Sequence, residues 1–205
     1  MPKTDLETLR SLHGQKKWEH LWAYYKLPIV LILIALYVIG YISYRNLTRK
    51  QDVLYLAMVN VSAGSDLTEQ LTDGFAQEQQ LTRKQQVNLL GGLLLSESDS
   101  ADEQYVYASE MKLLGAISAQ RLDIVLMDEK ACAALQEEGY FLDLRTLDSS
   151  FGKLDGLNDA GTALNISDTP FLSPAGFSGK IYLGVVQNAP HPERSAAYIR
   201  YLLQQ

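Results

Sequence analysis

The hydrophobic residues of this chain form one continuous segment followed by a series of shorter, periodic ones. Leu27 to Tyr44 is a run of eighteen residues without a charged side chain. At about 1.5 Å per residue, a helix of this length spans roughly 27 Å, which is close to the hydrocarbon thickness of a bilayer. The segment is apolar on every face, whereas a helix buried in a soluble core is usually amphipathic. The pattern therefore predicts a transmembrane helix over residues 27–44.

Residues on both sides of the apolar segment predict how it is anchored. Aromatic side chains suited to the two headgroup layers precede and close it: Trp18, Trp22, Tyr24, Tyr25, Tyr41 and Tyr44. The preceding segment is long and no small-x-small cleavage pattern follows, so an uncleaved signal anchor is favoured over a secretory signal peptide. Within about twenty residues of the segment, four basic residues precede it and three follow it, which favours a cytoplasmic N-terminus. We expect residues 1–26 to form a short basic and aromatic cytoplasmic arm, and the C-terminal domain to lie outside the cell.

Beyond the apolar segment, short hydrophobic runs alternate with amphipathic ones. The predicted strands are 53–60, 87–96, 122–128, 140–144 and 180–188, and the predicted helices are one beginning at Asp66, then 102–119, 129–139 and 192–204. The stretch 145–178 is rich in Gly, Ser, Asp and Pro and is predicted to be irregular. Strands that alternate with helices imply βαβ units. We therefore expect a single α/β domain over residues 53–205, built on a mainly parallel sheet.

Some residues predict local features of these elements. Asp66 and Glu69 have the spacing of a helix start, and Gly139 can end the helix that precedes it. The Gly91-Gly92 pair predicts a bulge or a close packing contact in the second strand. In the last helix, the positions predicted to face the core are Ala196, Ile199 and Leu203.

Charge is distributed unevenly along the chain. The formal net charge is -6, but residues 1–50 hold eight Lys/Arg and three Asp/Glu, whereas residues 51–205 hold ten Lys/Arg and twenty-one Asp/Glu. A basic arm before an acidic body suits a chain whose first part meets a lipid bilayer. The acidic body argues against nucleic acid as a partner, because phosphate binding needs clustered Lys and Arg.

Three stretches of the body resemble the extracellular solute-binding proteins of bacterial ABC transporters. They are "AISAQRLDIVLMDEKACAALQEEGYFLDL" (116–144), "LNISDTPFL" (164–172) and "KIYLGVVQNAPHPERSAAYIRYLL" (180–203). The resemblance implies a domain similar to one lobe of such a protein, since the family has two lobes with ligand held between them and residues 53–205 suffice for only one. It implies a non-enzymatic, membrane-anchored binding or interaction module, whose partner is an envelope membrane protein or a second copy of the chain. The alternative is the solute-capture component of a transport system, with the missing lobe supplied by a dimer or a partner.

The sequence contains little that indicates a catalytic or metal-binding site. His13 and His20 precede the apolar segment and His191 lies between two prolines, so we expect no hydrolytic triad in the body. No cluster of Cys and His has zinc-binding spacing. Cys132 is the only cysteine, and its position on one face of a helix predicts a buried, inert thiol. We expect no catalytic residues, no metal and no cofactor.

The candidate ligand-binding residues follow from the predicted sheet. In open parallel sheets, ligands bind beyond the carboxyl ends of the strands. The residues at those positions are Ser62, Gly64, Ser65, Asp66, Ser96 and Asp128. Asp66 opens a helix whose N-terminal amides can accept an anionic group. The alternative is that all six are ordinary turn and cap residues.

Overall fold

The structure, a computed structural model, describes residues 15–48, 50–95 and 102–203, and the side chains of 15–25 and 46–48 lie outside that description. It divides into two units, Met1–Arg49 and Lys50–Gln205. The described part of the first unit is one helix, α1 (Gln15–Thr48). The second unit, called the body below, contains all the strands of the described chain.

Helix α1 contains the predicted apolar segment. Its stretch Lys26–Arg45 has a mean hydropathy of 2.3 and is long and apolar enough to cross a membrane, or to act as a signal sequence. The described apolar side chains of this stretch are exposed, except for the partly exposed Ile29, and Tyr41 and Tyr44 are exposed as well. The rings of Tyr37 and Tyr41 stack with centroids 6.5 Å apart. The backbone at Trp18, Trp22, Tyr24 and Tyr25 is helical, and their side chains lie outside the described ones.

The body has five strands and five α-helices among the described residues, in an α/β arrangement. The strands are β1 (Gln51–Val59), β2 (Gln85–Leu93), β3 (Ile124–Asp128), β4 (Leu164–Asn165) and β5 (Ile181–Val185). The helices are α2 (Ser65–Glu69), α3 (Phe75–Glu78), α4 (Glu103–Ser118), α5 (Glu129–Glu137) and α6 (Pro192–Leu203). A π-helical turn, Gln70–Gly74, joins α2 to α3.

The sheet is mixed, with strand order β2-β1-β3-β5-β4. β1 pairs in parallel with β2 and β3, whereas β5 is antiparallel to both β3 and β4. The prediction of a mainly parallel sheet is therefore wrong for its second half. After β3 the chain passes through α5 and enters β4, which runs in the same direction as β3. β5 then runs in the opposite direction and lies between β3 and β4. The two-residue β4 lies in the stretch predicted to be irregular, and the predicted strand 140–144 is reduced to one bridge between Phe141 and Val186.

Helices cover both faces of the sheet because side chains alternate along each strand. On one face, Leu54, Leu56 and Met58 of β1 pack in a cluster with residues of α2, α3 and α6. On the other face, Ala57 and Val59 belong to a cluster with residues of α4 and α5. The buried strands are nearly continuous apolar runs for this reason.

Several local predictions are confirmed. Gly92 has a positive φ of 72° at a register shift between β1 and β2, where one residue of β1 (Met58) opposes two of β2 (Gly91 and Gly92), so the predicted bulge is present. Helix α5 ends just before Gly139, whose φ is 73°. Ala196 and Ile199 of α6 are buried, and Leu203 is partly buried against the core. Asp66 lies in the first turn of α2 but is not its cap, since Gly64 holds that position.

Candidate functional site

Two loops meet at the carboxyl ends of the parallel strands. The first is the turn after β1, which leads into α2. The second is the long loop 166–180 between β4 and β5, which lies at the same edge because β4 runs in the direction of β3 and β5 starts opposite Asp128. We call this the carboxyl edge of the sheet.

The two loops enclose a groove, which we call the α2 groove. Its first part has a volume of about 420 Å³ and lies between α2 and the 166–180 loop. A second part of about 600 Å³ continues along the π-helical turn to α6, and both parts share Gln70 and Phe171. The lining residues are Gly64, Ser65, Asp66, Leu67, Gln70, Gly74, Gln77, Glu78, Pro170, Phe171, Pro174, Ala175 and Tyr201. Each part is within the size range of small-molecule sites, roughly 300–1,000 Å³.

The lining chemistry favours neutral or cationic groups over anions. Among these lining residues there is no Lys, Arg or His, whereas Asp66 and Glu78 contribute two exposed carboxylates. The Ser65 hydroxyl donates to Asp66 Oδ1 at 3.0 Å. An anionic group at the start of α2 would face the Asp66 carboxylate, so the expected acceptance of an anion there is not supported by the surrounding charge.

The π-helical turn is held by two tyrosines of α6. Hydrogen bonds in a π-helix join residues five apart instead of four, which changes which backbone carbonyls accept a bond from within the helix. The Tyr201 hydroxyl donates to the Gln70 carbonyl at 2.8 Å, and the Tyr198 hydroxyl donates to the Leu71 carbonyl at 3.0 Å. Burial raises the pKa of Tyr198 well above its usual value. Burial, with a smaller contribution from the Glu78 carboxylate, also raises the pKa of Tyr201. Both hydroxyls therefore remain protonated donors.

Gly74 is required by this contact. A Cβ at position 74 would overlap the Tyr201 hydroxyl. The Tyr201 ring has little room to move, because it packs against Phe75 and Phe171 with centroids 5.5 and 4.8 Å away. The sequence predicted the inward positions of α6 from their aliphatic residues and missed both tyrosines. Their spacing of three residues in an amphipathic helix is the signal that could have identified them.

The structure separates the predicted ligand-binding residues. Gly64, Ser65 and Asp66 line the α2 groove, whereas the exposed Ser62 precedes it and is not among the lining residues. Asp128 Oδ1 accepts the Ala131 amide at 2.8 Å, so it is the cap of α5. Ser96 lies outside the described residues.

Asn60 ties together the carboxyl ends of three strands. Its Nδ2 donates to Asp128 Oδ1 at 3.0 Å, and its Oδ1 accepts the Leu95 amide at 2.9 Å. Asn60 has a φ of 56°, in the left-handed region that asparagine tolerates better than most residues. Asp128 therefore has a structural role in joining β1, β3 and α5, which agrees with the alternative reading of this residue as a turn and cap position.

An acid–histidine pair lies away from the groove, next to the beginning of β3. Asp123 is fully buried, and its carboxylate accepts the Tyr55 amide, the His191 amide and the His191 ring Nδ1 at 2.7–3.0 Å. The sequence analysis did not predict this pairing of His191 with a buried acid. Ser195 lies nearby, but its hydroxyl donates to the His191 carbonyl at 3.0 Å and its side chain is buried. Among the described residues, no hydroxyl or thiol is hydrogen-bonded to the His191 ring.

Cys132 is buried in the cluster beneath α5, as predicted. Burial, helped by the nearby carboxylates of Asp128 and Glu129, raises the pKa of its thiol to about 11. The reactive form of cysteine is the thiolate, so this thiol is unreactive near neutral pH.

Comparisons of this chain with family models, with curated proteins and with solved structures give no match.

Proposed function

We propose that this chain is a single-pass membrane protein whose body is a non-enzymatic binding module, similar to one lobe of a solute-binding protein. The observation that carries the proposal is the α2 groove. It is concave, it lies at the carboxyl edge where open α/β sheets bind ligands, and Gly64, Ser65 and Asp66 line it. In this proposal α1 is an uncleaved anchor, with the N-terminus in the cytoplasm and the body outside the cell.

The preferred ligand of the groove is a group on a partner in the envelope, either a membrane protein or a second copy of this chain. A single lobe has no facing lobe to close over a solute, whereas a protein partner covers an open groove by docking on it. The carboxylates of Asp66 and Glu78 favour a partner that presents cationic or neutral hydrogen-bonding groups.

Solute capture is the second candidate, and the volume of the groove favours it. A cavity of about 420 Å³ would hold a small metabolite. Capture would then need a second lobe from a dimer or partner, because tight sites usually enclose most of the ligand surface.

Thermal unfolding of the full chain in detergent, with a panel of cationic, neutral and anionic metabolites, separates these candidates. A ligand that binds the folded state raises the melting temperature. The groove variant is Asp66→Arg, and the matched control is Glu129→Arg, an exposed acid in the first turn of α5 that is not among the residues lining the groove.

Solute capture predicts a compound that stabilises the wild type and the control but not Asp66→Arg. The interaction module predicts no such compound, together with crosslinking in cells that recovers a membrane partner or a second copy from the wild type and the control only. If Asp66→Arg behaves like the control in both assays, the groove is not the binding site and the proposal is overturned.

The proposed topology has a separate test. Protease added to intact cells should digest the body and leave a membrane-protected fragment containing α1, whereas permeabilised cells should lose the cytoplasmic arm as well. Complete protection of the body in intact cells would overturn the N-in arrangement.

A further inference from the structure

The amino ends of the parallel strands carry a group of basic residues. Gln51, the first residue of β1, donates its amide to the Lys84 carbonyl at 2.6 Å, so Lys50 and Lys84 lie at the starts of adjacent strands. Arg83 precedes Lys84, and Arg121 precedes β3. We call Lys50, Arg83, Lys84 and Arg121 the basic edge. All four side chains are exposed.

The four cations of the basic edge are available to an outside partner. The ion pairs among residues 50–95 and 102–203 are Arg145–Asp143, Arg200–Asp148 and His191–Asp123, and none includes a residue of this edge. Acids also lie near this edge. Asp52 accepts the side-chain amides of Gln86 and Asn88 at 2.7 and 3.1 Å, and Glu193 is exposed in the first turn of α6.

A shallow, open depression lies within the basic edge. Its volume is about 750 Å³, and Lys50 and Arg83 line it together with one acid, Asp73. The rest of its lining is mainly amide and hydroxyl side chains, including Gln77, Gln80 and Thr82. Two cations beside hydrogen-bonding groups, in a space of this size, suit a phosphate-bearing headgroup.

The opposite edge of the sheet has the reverse charge. Asp66, Asp102, Glu103, Glu129 and Asp168 are exposed or partly exposed residues in the loops and helix starts at the carboxyl ends of the strands. Two exposed basic residues, Lys130 and Lys180, also lie at this edge. An anionic surface therefore attracts the basic edge and repels the carboxyl edge.

We infer that the basic edge docks on the anionic phospholipid surface of the membrane that anchors the chain. This inference rests on the membrane anchoring in the proposed function. Only Arg49 and Lys50 lie in sequence between Thr48, the last residue of α1, and Gln51, the first residue of β1. Clustered Lys and Arg close to an anchor bind anionic headgroups, and the attraction acts within about one Debye length, roughly 8–10 Å at physiological salt. Docking in this way leaves the α2 groove, at the opposite edge, open to solution.

Lysine acetylation of the full chain in lipid nanodiscs, read by mass spectrometry, tests the inference. One set of nanodiscs contains only phosphatidylcholine, and the other adds phosphatidylglycerol. Lys84 is the decisive residue because it is far from α1 in sequence, and Lys130 and Lys180 are internal controls. We expect Lys84 to be acetylated about fivefold more slowly in the anionic nanodiscs at low salt, the factor expected from the attraction of one lysine to an anionic surface. The difference should disappear at high salt, and the two control lysines should not change.

A charge-reversal variant sharpens this test. Arg83→Glu combined with Arg121→Glu should remove the protection of Lys84, whereas Lys130→Glu combined with Lys180→Glu makes the same change in net charge and should preserve it. Folding of the first variant is checked by the unchanged acetylation rates of Lys130 and Lys180.

Three outcomes overturn the inference. One is equal acetylation of Lys84 in both nanodiscs. Another is protection of Lys84 by inorganic phosphate with neutral nanodiscs, which would assign the basic edge to a soluble anion. A third is protection that survives Arg83→Glu with Arg121→Glu. Failure of the anchoring itself is distinct, because the chain would then not be recovered with nanodiscs of either composition.

Discussion

The carboxylate of Asp123 holds His191 by both its backbone amide and its ring, with distances of 2.7 Å to the amide and 3.0 Å to Nδ1. The same carboxylate accepts the amide of Tyr55 at 2.8 Å, and the Tyr55 and His191 rings lie 5.8 Å apart. One buried side chain therefore connects β1, the start of β3 and the turn that begins α6. We call the Asp123–His191 pair the clamp of the body. It lies next to the beginning of β3, whereas the proposed binding site, the α2 groove, lies at the carboxyl edge of the sheet.

We predict that Asp123→Asn destabilises the body by about 2–4 kcal/mol. The NH2 group of the new asparagine would face N–H groups that now donate hydrogen bonds to the carboxylate. Urea unfolding of the full chain in detergent, followed by near-ultraviolet circular dichroism, measures the change. Asp159→Asn is the matched control, since Asp159 is exposed in a loop and should change stability by less than about 0.5 kcal/mol. Equal stability of the two variants would show that the clamp contributes nothing.

The contact between Gly74 and Tyr201 predicts a non-additive pair of substitutions. Gly74→Ala should destabilise the body by about 1–3 kcal/mol, although alanine favours helices, because its Cβ would displace the buried Tyr201 hydroxyl. In a Tyr201→Phe background, which lacks that hydroxyl, the same change should be neutral or stabilising. A double-mutant cycle on unfolding free energies measures the coupling. Additive effects would contradict the proposed overlap.

The ion pair between Asp148 and Arg200 predicts a pH dependence of stability. The hydrogen bond from the Arg200 side chain is the main cause that lowers the pKa of Asp148 from 3.8 to about 2. Because the folded pKa is the lower one, the stabilisation is present above the unfolded value and is lost as the pH falls from about 4 towards 2. We expect the wild type and Asp148→Asn to differ in melting temperature at pH 5 and to converge near pH 2. A constant difference over this range would contradict the assignment.

Cys132 should report unfolding of the body. Its thiol is buried and has a pKa raised to about 11, so a thiol reagent at pH 8 should react slowly with the folded chain and rapidly after urea unfolding. As the folded pKa is the higher one, the contribution of this thiol to stability is present below the ordinary thiol value of 9.0 and is lost as the pH rises towards 11. Rapid labelling without denaturant would show that α5 opens readily. Cys132→Ser, which removes the thiol, is the control for reaction at other groups.

The parts of the fold that the sequence predicted are those governed by local pattern. The alternation of apolar runs located β1, β2, β3 and β5, and Gly92 and Gly139 marked a bulge and a helix end because their conformations suit glycine. The reversed direction of β5 was not predictable in this way. Strand direction depends on how the connection through α5 and β4 returns to the sheet, and the two-residue β4 is too short to give a periodic signal.

Only one side of the candidate site was predictable from the sequence. The rule for open α/β sheets predicted Gly64, Ser65 and Asp66 as candidates, and all three line the α2 groove, because the turn after β1 lies at the carboxyl edge whatever the rest of the sheet does. The opposite wall comes from Phe171 and Pro174, which are about a hundred residues away in a stretch without a pattern. In the sequence, Asp128 could be either a ligand-binding residue or a helix cap. Its contacts with Ala131 and Asn60, which only the tertiary structure shows, make it a cap.

By itself the sequence determined the length and apolarity of the segment 27–44, the α/β class of the body and the burial of Cys132. Each of these depends on composition or on a short-range period, which act through local propensity and hydrophobicity. Tertiary structure alone decided the mixed sheet, the clamp between Asp123 and His191, the support of the π-helical turn by Tyr198 and Tyr201, and the second wall of the α2 groove. The hydrogen bonds of the clamp and of the two tyrosines join residues 68 to 131 positions apart, and such long-range contacts exist only once the sheet has brought its connections together.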